Sequence, residues 1–223
     1  MKTFSQSLKD KMVAETIKHR EADQIVQGTY GQTEDGKWRG CAVGCAIHSL
    51  NKIKKKDLKT SDHTLYETYL GIPKAIARLE DTIFEGLPVE VAKLWPERFI
   101  KAVPVDTDLS LVIPKFYLKI LLDKKHGIRQ YAFYYGKKAI DKVAEVHKNH
   151  IKTGKLDESA WSAVSARSAN WYAESARSTD GYAAWSARSA WSAAWSANWY
   201  AESAHYEWMA DVLIEILEVS NKE

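Results

Sequence analysis

Several things are scarce in this chain of 223 residues, and each scarcity excludes a class of protein. There are only two cysteines, four residues apart, so no disulfide framework can be read from it. With no secretory leader pattern at the Met1 end, the expectation is a reduced, cytoplasmic setting. No apolar run approaches the ~20 residues that a membrane span needs. The formal net charge is only +3, too balanced to announce a nucleic-acid binder. Neither a glycine-rich phosphate loop of the GxGxxG or GxxxxGK[ST] type nor a GxSxG nucleophile elbow occurs. Cofactor and metal are therefore both expected to be none.

What the chain has in excess is tryptophan, and it is concentrated. Seven of the nine tryptophans fall within residues 157–220, set among Ser and Ala, and Ser168–Ala176 (SANWYAESA) recurs unchanged 28 residues later at Ser196–Ala204. Ala166, Ala169, Ala173, Ala176 and their successors to Ala204 step by three and four, with one step of seven where Asp180 takes the expected place, a heptad seam that a 28-residue duplication preserves. Alanine is the best helix former, and a seam of it lets another backbone approach closely. A long C-terminal helix is expected, with a kink or a hairpin turn at Asp180-Gly181 as the weak point. Trp171, Trp185 and Trp199, spaced roughly 21 Å apart along such a helix, flank the seam together with Arg167, Arg177 and Arg188. These six are the candidate binding residues, because Trp and Arg dominate interface hot spots and also suit nucleobases and phosphates. Core packing of the same rings is the competing reading.

The rest reads as short helices. Residues 5–22 carry a rough apolar face of Leu8, Met12, Val13 and Ile17. Asp35-Gly36 between β-prone runs signals a small hairpin around residues 25–43. A short helix is expected from Gly40, followed by a lysine-rich surface loop over 52–59. Further helices are expected over 72–86, over 88–103 with a kink or restart at Pro96, over 109–123 interrupted at Pro114, and over 128–151, closed by Gly154. Asp157 is placed to cap the tail. The bulky residues Met209, Val212, Leu213, Ile216, Leu217 and Val219 make residues 208–219 an apolar docking segment. The expected fold is mainly α: a helical domain over 1–155 with a hairpin, and a Trp/Ala/Ser-rich repeat helix over 157–220.

Cys41, Cys45 and His48 are the most enzyme-like group, since i, i+4 and i+7 share one helix face. A cysteine at a helix N-terminus gains thiolate character, and a Cys–His pair suits nucleophilic catalysis. Tight packing of small residues is the plainer reading. A metal would want a fourth ligand that no spacing signals. His147 and His150, one turn apart, read as surface residues. Glu80 and Asp81 are adjacent, so they cannot face each other on a helix.

The run Gly40–Ser49 (GCAVGCAIHS), with Gly71-Ile72-Pro73, Ala77–Asp81 (ARLED), Ile83–Leu87 (IFEGL), Trp95–Phe99 (WPERF) and an Ala-rich tail, resembles a set of uncharacterised proteins found in bacteriophages and bacteria. The resemblance implies a small intracellular protein of viral or mobile-element type and assigns no catalytic residue. The functional expectation is a non-enzymatic binding protein that blocks a host protein or sequesters a nucleotide-like ligand, with no membrane or nucleic-acid partner. A Cys41/His48-dependent enzyme and a homo-oligomer assembled through the Ala seam are the alternatives.

Overall fold

The computed structural model describes residues 4–132, 134–160 and 199–220. Over these residues the chain is mainly α-helical, with one two-stranded antiparallel hairpin. Residues 161–198 lie outside the described residues, and with them most of the Ala seam and the Asp180-Gly181 break. No helix among the described residues is long and apolar enough to cross a membrane.

Helix α1 (Gln6–Glu21) begins where Ser5 Oγ accepts from the Leu8 amide at 3.4 Å, and Lys18, His19 and Arg20 crowd its last turn, where the helix dipole favours cations. Its buried side is rotated from the expected apolar face. Met12, Thr16 and His19 are buried, whereas Leu8, Val13 and Ile17 are only half-buried. The hairpin pairs β1 (Gln32–Glu34) with β2 (Lys37–Arg39), Thr33 opposite Trp38. Asp35 and Gly36 form the two-residue turn with φ of 50° and 73°, the left-handed pair that matches the twist of the strands.

Helix α2 (Ala42–Lys54) is longer than the short helix expected, because it runs on through the first lysines of the charged run. Those lysines sit at the negative end of the helix, and Lys55 closes it in the left-handed region. A π-helical turn (Tyr66–Leu70) ends at Gly71, and Pro73 then leads into α3 (Lys74–Gly86). Helices α4 (Val89–Ala92) and α5 (Trp95–Ala102) divide the 88–103 stretch, with Pro96 in the first turn of α5, so the proline restarts a helix.

Helix α6 (Val112–Leu122) corrects the expected interruption at Pro114. Pro114 lies in the first turn, where the missing N–H has no intrahelical partner to lose. Residues 128–151 are not one helix either: a 3₁₀ turn (Ile128–Tyr131) precedes α7 (Tyr134–Thr153). Gly154 follows at φ 72°, and Asp157 Oδ1 accepts from the Ala160 amide at 3.0 Å, a helix cap. Helix α8 spans Trp199–Val219.

Two compact units result: residues 1–112 with 206–223, and residues 113–205. In the first, α1 packs on α2 and α5, and α2 and α3 pack on each other and on α5. Trp95, Phe84, Ile76 and Ile83 are completely buried there. So are Ala210, Leu213 and Leu217 of α8, while Val219 is 46% exposed. The Tyr206 ring lies so close to Gly86 that a Cβ there would stand 2.4 Å from it, and Arg98 bonds Asp211 at 2.8 Å. In the second unit His147 stacks on Tyr117, ring centroids 5.4 Å apart, and is buried. That corrects its reading as a surface residue: the imidazole is held by an aromatic face rather than solvated.

Candidate functional site

The chain between α1 and β1 is strapped across the start of α2, and this strap builds the site. Val26 N donates to Gly40 O at 3.0 Å, Gly40 N to Gln24 O at 2.9 Å, and Cys41 N to Thr29 O at 2.6 Å. Gly44 makes the close approach possible, since a Cβ on it would stand 2.1 Å from the Tyr30 carbonyl oxygen. On the other side the strap is tied to α3. Gln27 Nε2 donates to Phe84 O at 2.7 Å and Leu87 O at 2.9 Å, and Gly28 N donates to Glu85 Oε2 at 2.9 Å.

Asp81 is the centre of what this produces. Its Oδ1 accepts from Cys41 Sγ at 3.4 Å, and its Oδ2 accepts from the Tyr30 hydroxyl at 2.9 Å. His63 Nε2 lies 3.2 Å from the same Oδ2. Asp81 and Glu85 are four apart on α3, hence on one face. Burial, with Asp81 next, pushes the Tyr30 phenol up to about 12.

Cys41 is the N-cap of α2, its Sγ accepting from the Gly44 amide at 3.4 Å. Here the expected thiolate does not form. Burial first, then the charge of Asp81, push the thiol up, and the Gly44 amide offsets only part of this. Cys45 Sγ donates to Gly40 O at 3.3 Å, and burial raises that thiol as well. Both cysteines are free and buried.

His48 has other neighbours. Its ring stacks on Trp38, centroids 4.0 Å apart and planes at 18°, and lies 5.2 Å from the ring of His19. His19 itself is held by Gln24 at 2.6 Å and Ser49 at 3.1 Å. Burial, followed by the charge of Lys52, lowers His48 to about 4, so the imidazole is neutral near pH 7. The structure therefore assigns Cys41 to Asp81 and His48 to Trp38, not to each other.

One residue before Asp81, Glu80 is 2% exposed and bonded by Tyr66, with Oε2 buried and lacking a hydrogen-bond partner among the described residues. Burial raises it to about 8, with the charge of Asp81 adding to the rise, so it carries a proton at neutral pH. Trp95 Nε1 donates to its backbone carbonyl at 3.2 Å.

Of the six residues expected to bind, Arg167, Trp171, Arg177, Trp185 and Arg188 lie outside the described residues, and Trp199 opens α8. Tyr30, His63, Asp81 and Glu85 were not singled out as a group by sequence reasoning. Asp81/Glu85 spacing was the one local signal; the others come from separate loops. The chain matches no protein-family model, no curated protein and no solved structure.

Proposed function

We propose that this is a non-enzymatic binding protein whose Trp- and Arg-bearing stretch engages a host protein or a nucleotide-like signal, in the manner of a phage counter-defence protein. The observation that carries the reading is the anchoring of α8. Ala210, Leu213 and Leu217 are fully buried in the unit that also holds α1–α5, so the stretch leading into α8 ends in a packed core. Trp171, Trp185 and Trp199 would supply contact area, and Arg167, Arg177 and Arg188 charge. The state of Cys41 also supports binding over catalysis: a thiol raised by burial and a neighbouring carboxylate is a poor nucleophile.

Native mass spectrometry of protein purified from its host tests this. The wild type should retain a stoichiometric protein or small-molecule mass, which the triple variant Trp171→Ala/Trp185→Ala/Trp199→Ala should lose with an unchanged unfolding midpoint. A variant that unfolds makes the rings core residues instead. A wild type that carries nothing, or a variant that still carries it, rejects the reading. Rapid labelling of native Cys41 by a thiol reagent would return the enzyme reading to favour.

A further inference from the structure

The Asp81 cluster contains a thiol, two carboxylates and an imidazole brought together from three separate parts of the chain. Cys41, Asp81 and Glu85 each offer a ligand atom, and these atoms all lie within 4.8 Å of one another. In tetrahedral zinc coordination, with bonds of about 2.3 Å to sulfur and about 2.0–2.2 Å to oxygen, the two ligand atoms stand about 3.5–3.7 Å apart, slightly wider than the contact seen here. Cys41 Sγ and Asp81 Oδ1 stand 3.4 Å apart. The cation would replace the proton between them. Glu85 is exposed and uses Oε2 for the Gly28 amide, leaving its other oxygen to close the remaining distance by a change of rotamer.

We propose that Cys41, Asp81 and Glu85 bind a divalent transition-metal cation of the zinc type, with one coordination position left to water. The donor set selects the class, because thiolate with carboxylate suits Zn²⁺ and its borderline-soft neighbours better than Mg²⁺ or Ca²⁺, which take oxygen alone. On binding, the Cys41 thiol releases its proton to solvent and the S–H···O contact becomes two metal bonds. Tyr30 and His63 hold Asp81 Oδ2 and so act as positioning residues, fixing the orientation of a ligating carboxylate as outer partners do in metal sites. The site rests only on residues 30–85 and stands whether or not the tail binds a partner.

The test is titration of the full chain, stripped with chelator, with Co²⁺ and then Zn²⁺. One equivalent of Co²⁺ should produce a sulfur-to-cobalt charge-transfer band in the near ultraviolet, and Zn²⁺ should bleach it. Cys41→Ser should abolish the band; Cys45→Ser should keep it. Asp81→Asn and Glu85→Gln should each weaken binding by more than about 10-fold, and His63→Gln and Tyr30→Phe by about 10- to 100-fold. If Cys41→Ser fails to fold by circular dichroism, Glu85→Gln decides, because that side chain is exposed. No band in the wild type, a band that survives Cys41→Ser in folded protein, or unchanged affinity in Glu85→Gln overturns the site.

Discussion

Glu80 and Asp81 are consecutive on α3, yet they face opposite kinds of surroundings. Glu80 is buried with Tyr66 as its hydroxyl partner, and it stays protonated because burial disfavours its charged form. Asp81, 13% exposed at its side chain, collects a thiol, a phenol and an imidazole. The hundred degrees between successive helix residues separates a dry side from a polar edge. A carboxyl group answers burial by keeping its proton. Site chemistry in this protein belongs to the edge, and the neutral acid belongs to the core.

The comparison breaks most completely at Gly44. Gly44→Ala drives a Cβ into the Tyr30 carbonyl and should force the strap away from α2, with a loss of about 3 kcal/mol in denaturant unfolding. An unchanged midpoint would mean that the strap is not held there. Glu80→Gln sharpens the dry side. In the unfolded chain Glu80 ionises near 4.5, whereas in the fold it keeps its proton to about 8. Between these values the folded state binds more protons, so stability falls as pH rises, by about 1.4 kcal/mol per pH unit from this one group. Glu80→Gln should flatten that slope across pH 5–8, and a slope that persists would assign it elsewhere. Tyr30→Phe is the mildest, removing one half-exposed hydrogen bond to Asp81 for about 1 kcal/mol and leaving the Glu80 slope untouched.

The parts of this fold that could be read from the sequence are those set by neighbours in the chain. Ser5 caps α1, Asp35-Gly36 turns the hairpin, Pro96 restarts a helix and Gly154 ends one. The errors were also local: Pro114 looks like a break until the helix start is placed two residues before it. The site followed another rule. Tyr30, Cys41 and His63 reach Asp81 across 51, 40 and 18 positions, separations at which no periodic pattern speaks. GCAVGC gave away its tight packing but not its cause, which is the Tyr30 carbonyl lying on Gly44. Cys41 shows the same limit, because the dipole argument for a reactive thiol was sound, and burial first and the neighbouring carboxylate second, both invisible in sequence, reversed it.

The first unit closes with Ala210, Leu213 and Leu217, yet the ribosome makes residues 113–205 before it reaches them. At ordinary translation speeds those intervening residues take about 5–20 s. Through that interval the helices before Val112 wait with an apolar gap that only the late segment fills. Nascent chains of this protein therefore keep that apolar surface uncovered until their last residues emerge.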